Sequence, residues 1–171
     1  MTNVQKQLWK IEKKKVIFNK SIIRMKIIAK NKKASFEYIF LEKYTAGIVL
    51  SGTEIKSIRA NKVSINESYC IFINEELWIK NMHIAEYDFG NIYNHEPKRD
   101  RKLLLNKREI KKLKSKNIEK GVAIIPTLLF INEKGIAKIE IALAKGKKLF
   151  DKRETIKDRD TLRDSDRKIK L

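Results

Sequence analysis

From Phe36 onward the chain alternates with the two-residue period of a half-buried strand: Phe36, Tyr38 and Phe40 share one face, and Glu37, Ile39 and Leu41 the other. Gly47 separates this run from Ile48-Val49-Leu50, so a hairpin or a bulge is expected there. Ser51-Gly52-Thr53 then opens a short helix, with Ile55 and Ile58 on one face and Lys56 and Arg59 on another. The period returns to two at Tyr69–Ile73 and Leu77–Ile79, a β-hairpin around Asn74-Glu75-Glu76 that His83 and Ile84 end. A loop carrying Tyr87, Phe89 and Tyr93 follows; such rings either pack on the sheet or stack on unpaired bases. A second helix runs from Asn106 to about Asn117, with Ile110 and Leu113 inward and six cations on its other faces. After Gly121, Val122–Ile131 and Ile136–Leu143 read as paired strands around the turn Asn132–Gly135. Pro126 demands an edge position or a bulge midway along the first of them.

Gly146 ends the segment with a core-forming pattern. In 149–171 the apolar residues Leu149, Phe150, Ile156, Leu162, Ile169 and Leu171 build no continuous stripe. That stretch is expected to be a basic tail, disordered when unbound and helical on a partner, because it buries too little surface to offset ordering. Residues 1–30 read as a poorly ordered basic extension, with a transit peptide or a start at Met25 as alternatives. This leaves 31–148 as one domain. Its six or seven strands, without βαβ alternation, fit a mainly β fold with flanking helices: an OB-like closed β-barrel with two or three short helices.

Charge changes the picture from a fold to a partner. The net charge of +19 divides into +10 on residues 1–33, +4 on 34–144 and +5 on 145–171. A nearly balanced centre with basic ends is the distribution of a module that binds polyphosphate. Cys70 is the single cysteine and His83 and His95 the two histidines, so neither a disulfide nor a metal cluster is expected, and no cofactor. Scattered acids and separated histidines offer no catalytic constellation, so an enzyme is not expected. With no apolar run near the length of a membrane span and no secretory h-region, the expected location is the cytoplasm.

The densest local signal is Asn94–Ile110, NHEPKRDRKLLLNKREI. His95-Glu96-Pro97 is a turn, and Lys98, Arg99, Arg101 and Lys102 place four cations in five positions. Leu103-Leu104-Leu105 can anchor them, and Asn106 with Glu109 has the spacing of a helix capping box. A solvated charged loop before an ordinary helix would look similar. The string as a whole, however, resembles the signature segment of the SsrA-binding protein (SmpB) family. NKKA at 31–34, AGIVLSGTEIKSIRA at 46–60 and AKGKKLFDKRE at 144–154 match the same family in the same order, so the resemblance covers 31–171.

The resemblance implies an OB-like barrel that binds the tRNA-like domain of transfer-messenger RNA. It implies delivery of that RNA to stalled ribosomes, where the nascent peptide is tagged and the tail meets small-subunit ribosomal RNA in the decoding centre. Carried over by matching positions, the RNA-binding residues are Asn31, Lys32, Lys33, Gly47, Lys56, Arg59, Arg99, Arg101, Lys102 and Leu104. The decoding-centre residues are Lys147, Lys148, Phe150, Asp151, Lys152 and Arg153. The free protein is expected to be a monomer. Thr45 departs from the family, which usually has glutamate there. From composition alone, a ribosomal or RNA-chaperone OB-type protein with basic arms would read the same way.

Overall fold

The long strands form where apolar, β-branched and aromatic residues recur, broken in places by Lys, Glu and Pro126, and the sheet they build sets every later position. The computed structural model describes residues 25–119 and 121–148. It contains β1 (Lys26–Lys30), β2 (Tyr38–Ile48), β3 (Val63–Ser64), β4 (Tyr69–Ile73), β5 (Glu76–Lys80), β6 (His83–Ile84), β7 (Arg101–Leu104), β8 (Val122–Ile131) and β9 (Ala137–Gly146). Three short helices, α1 (Lys32–Glu37), α2 (Gly52–Arg59) and α3 (Lys107–Asn117), flank the strands. The main sheet runs β1-β8-β4-β5-β7-β2-β9, and β9 also pairs with β8; β3 and β6 pair separately. Every one of these pairings is antiparallel. Ile58 of α2, Leu113 of α3 and Leu77, Ile79, Leu103, Leu129, Ile139 and Ile141 of the strands meet in one buried cluster. Each such aliphatic side chain contributes about 1.5–3 kcal/mol by leaving water.

Several expectations move. The alternation read from Phe36 does not start a strand there, because Lys32–Glu37 is helical and β2 begins at Tyr38. The cause is Asn31, whose Oδ1 accepts from the Ala34 N–H at 2.8 Å and nucleates the turn. Gly47 makes no hairpin. β2 passes straight through it, pairing Gly47 with Leu104 on one side and Lys138 on the other. The irregularity in β2 lies instead between Phe40 and Glu42. His83 and Ile84 do not merely end the β4–β5 hairpin but pair with Ser64 and Val63. Pro126 sits at a bulge, between Pro126 and Leu128, in an interior strand rather than an edge one. Lys26–Lys30, assigned above to a poorly ordered extension, pairs with β8 as an added strand. Residues 1–24 of that extension lie outside the described residues.

Candidate nucleic-acid interface

Helix α2 is set by a reciprocal cap. Glu54 accepts from the Ser51 N–H at 2.7 Å while Ser51 Oγ accepts from the Glu54 N–H at 3.4 Å. The cap leaves Glu54 with no exposed surface, and it binds two guanidinium groups. Arg99 donates through Nε at 2.7 Å to Oε1 and through Nη2 at 2.5 Å to Oε2. Arg101 donates Nε to Oε1 at 2.7 Å. Burial alone would push the Glu54 carboxyl up; hydrogen bonds from Arg99 and the Ser51 N–H, with the charge of Arg101, outweigh it and bring it down to about 2.

The same network takes in the basic run. Arg101 is fully buried, and its guanidinium also donates to the carbonyls of Met82 (2.6 Å), Arg99 (3.0 Å) and Pro97 (3.1 Å). It is a staple under the surface, with its guanidinium bonded inside the fold. The alternation of β7 explains why: Arg101 and Leu103 point inward, Lys102 and Leu104 outward. Arg99 is partly exposed but spent on Glu54. Lys102 pairs with Glu76 across the strand edge. Sequence reasoning missed Glu54. The Ser51-x-x-Glu54 spacing was the available signal for its cap, and nothing local announced its two arginine partners.

Helix α2 also carries two cations. Lys56 and Arg59 are exposed, Lys56 Nζ lies 4.9 Å from the centroid of the Tyr87 ring, and Arg59 Nη2 donates to the Gly135 carbonyl at 3.2 Å. Gly47 and Leu104 form a neighbouring ridge. A Cβ at Gly47 would lie 3.2 Å from Leu104 Cβ, so glycine lets the half-exposed Leu104 lie across β2. Lys138, paired with Gly47 in the ladder, adds a cation position that the sequence reading omitted. Thr45 is exposed opposite Glu140, whose carboxylate already binds Lys43 at 3.0 Å and Thr127 Oγ1 at 2.7 Å.

A second group lies elsewhere. Asn31 is 2% exposed, and its Nδ2 donates to the Ile65 and Pro126 carbonyls at 3.1 Å each. It is a buried clamp, with its amide turned into the fold. Lys32 and Lys33 beside it are exposed on α1. Lys147 joins them there, its N–H bonding the Glu37 carbonyl at 2.8 Å and its Nζ the Ser35 carbonyl at 3.4 Å. The α2 group adjoins the turn before β9 through Gly135, whereas the α1 group adjoins the end of β9. Nine residues of strand, at most about 30 Å, separate Lys138 from Lys147. Among the described residues the candidates therefore fall into two clusters, toward opposite ends of β9. Phe150, Asp151, Lys152 and Arg153 lie outside the described residues.

On α3, Lys112 and Lys116 bind Glu42, and Lys114 binds Glu75. Among the described residues, no group of His, Cys, Asp and Glu is placed to hold a metal ion. No helix among them is long and apolar enough to cross a membrane.

A mainly β module with three short helices and cations fixed at two ends of one strand belongs to the class of small basic proteins built to hold a polyanion. Comparison with known proteins narrows that class. The family model described as "SmpB protein" matches residues 28–171. An SsrA-binding protein of Cytophaga hutchinsonii is 67% identical over 138 residues, 81% of this chain and 90% of that one. One from Acholeplasma laidlawii is 56% identical over 146 residues, 85% and 97% of the two chains. A solved structure described as "tmRNA-SmpB: a journey to the center of the bacterial ribosome" is similar at a TM-score of 0.61 and 44% identity, covering 71% of this chain and 85% of that one. The chain belongs to the SmpB family of SsrA-binding proteins.

Proposed function

We propose that this protein is an RNA-binding adaptor of trans-translation. It binds the tRNA-like domain of transfer-messenger RNA and delivers that RNA to stalled ribosomes, so that the nascent peptide is tagged and the ribosome rescued. The observation that carries this reading is the family match across 28–171, shared with relatives named SsrA-binding protein and with the solved tmRNA-SmpB structure. The pairings β8–β4–β5–β7–β2–β9 and back to β8 support a closed OB-like barrel as the rigid platform. On it, Lys56, Arg59 and Lys102 meet phosphates, the Gly47–Leu104 ridge packs against the RNA, and Lys32 and Lys33 extend the contact. Arg99 and Arg101 act one layer down, as positioning residues for α2. The work needs no cofactor and is done by a cytoplasmic monomer. In a gel-shift competition, transfer-messenger RNA should displace the labelled complex at concentrations where ordinary tRNA does not; equal competition by the two would refute the reading.

The same binding assay separates surface from buried cations. Lys56→Ala and Arg59→Ala should each weaken binding and flatten its salt dependence by about 0.7–0.9 in slope per phosphate contact. Arg101→Ala should lower the melting midpoint and leave that slope unchanged. A flattened slope for Arg101→Ala would return it to the RNA surface.

Residues 149–171 serve as the tail that enters the decoding centre, disordered before binding and helical after it. Lys147, Lys148, Lys152 and Arg153 face phosphates of small-subunit ribosomal RNA, Asp151 orients Arg153, and Phe150 stacks on an unpaired base. Phe150→Ala should reduce peptide tagging while leaving the melting midpoint and transfer-messenger RNA affinity intact, and Phe150→Tyr should restore tagging. A large fall in melting midpoint for Phe150→Ala would mark Phe150 as a core residue instead.

A further inference from the structure

The loop between β6 and β7 exposes more apolar surface than its packing explains. Phe89 is 80% exposed, Ile92 88% and Tyr93 84%. Isolated exposed apolar residues are ordinary, but three large ones within five positions mark a surface that receives something.

The loop is also held in shape. Asn94 bridges it, its Oδ1 accepting from the Tyr87 N–H at 3.0 Å and its Nδ2 donating to the Tyr87 carbonyl at 2.8 Å. Gly90 is required beneath this bridge, because a Cβ there would come within 2.7 Å of the Asn94 side chain. Lys62 bonds Asp88 at 2.6 Å, and the buried His95 ring reaches Thr53 Oγ1 at 2.9 Å and the Ile84 carbonyl at 3.2 Å. Tyr87 meets Phe89 edge-on at 5.6 Å between ring centroids and carries Lys56 over its face. A preformed set of rings thus continues the cationic face of α2.

We propose that this spur, Phe89 and Tyr93 with Tyr87 behind them, is a stacking platform for unpaired bases of the RNA whose phosphates meet Lys56 and Arg59. The proposal rests on the RNA-binding reading above. Charge complementarity selects the occupant: Tyr87, which meets Phe89, also meets Lys56 of α2 in a chain of net charge +19, and an unpaired base supplies a π-face beside its own phosphate. Rigidity matters as well, since a platform already in place loses little entropy when a base settles on it.

The test uses the full chain and the tRNA-like domain of transfer-messenger RNA. Phe89→Ala and Tyr93→Ala should each weaken binding by about 5- to 150-fold, the range expected for losing one base-aromatic stack. Neither should change the salt slope or the melting midpoint, because no phosphate contact or core packing is removed. Phe89→Trp should restore affinity, and a fully paired RNA duplex should bind all variants alike. Unchanged affinity in both alanine variants overturns the proposal, as does a slope that flattens as it does for Lys56→Ala. Intact RNA affinity with lost ribosome association would assign the spur to a protein surface and equally overturn it. If wild type fails to prefer transfer-messenger RNA over tRNA while the ring variants lose affinity for both, the adaptor reading falls and the stacking platform stands.

Discussion

Glu54→Gln is expected to destabilise the protein by about 3–5 kcal/mol, the cost of leaving a buried cation without its partner. The substitution keeps the shape of the side chain and removes the charge that holds Arg101, a residue with no exposed surface. It also removes the paired acceptor for Arg99. The melting midpoint should fall by roughly 10 °C or more for a domain of this size. Proton linkage gives an independent check. The Glu54 carboxyl is lowered in the fold from 4.5 to about 2, so its contribution is fully present above pH 4.5 and disappears as pH falls toward 2. Over that window wild type should lose about 3 kcal/mol through this group. Glu54→Gln should lack that component while keeping the part due to Glu42, which Lys116, Tyr44 and Lys112 also bring to about 2. Denaturant titrations at neutral and acid pH measure both effects. A variant that melts with wild type would show that the guanidinium groups find other acceptors.

Why this centre escaped the sequence reading is instructive. Arg99 and Arg101 stand 45 and 47 positions from Glu54, so no window of local pattern joins them. Four cations in five positions looked like a single charged face. In a strand, however, successive side chains alternate, and once Leu103 is placed inward Arg101 must be inward too. That inference needed only the strand's existence and one core residue. The start of α3 was more legible, because its cap is local: Glu109 bonds the Asn106 N–H at 3.0 Å, as the spacing in NKRE required. The β4–β5 hairpin was legible for the same reason, with Asn74 and Glu75 both at positive φ in the two-residue turn. The division into an α1 cluster and an α2 cluster was not, since it depends on how β9 runs between two distant loops. The aromatic loop fell between two readings, packing or stacking, and the exposure of Phe89 and Tyr93 sets packing aside for those two rings.

Asn31→Ala is expected to cost about 3 kcal/mol and to leave the RNA contacts themselves in place. Three hydrogen bonds end at this one buried amide: from the Ala34 N–H to Oδ1, and from Nδ2 to the carbonyls of Ile65 and Pro126. Deleting it takes this partner from the Ala34 N–H and the Pro126 carbonyl, each at about 1–3 kcal/mol and partly relieved by local rearrangement, while the Ile65 carbonyl keeps the Ser68 hydroxyl at 2.7 Å. The damage is spread across the fold, because Asn31 joins the start of α1 to the loop after β3 and to the bulge in β8. Asn31→Asp should be nearly as harmful, since it keeps the acceptor for Ala34 but replaces the donor with an anion facing two carbonyl oxygens. Lys32→Ala and Lys33→Ala beside it should behave oppositely, with midpoints near wild type and a reduced salt slope if they touch phosphate. The decisive comparison is affinity measured well below the variant's melting midpoint. There, Asn31→Ala should bind transfer-messenger RNA with an unchanged salt slope and an affinity close to wild type. A large loss of affinity in fully folded Asn31→Ala would mean that the amide reaches the RNA after all, and that its buried hydrogen bonds exchange for RNA contacts on binding.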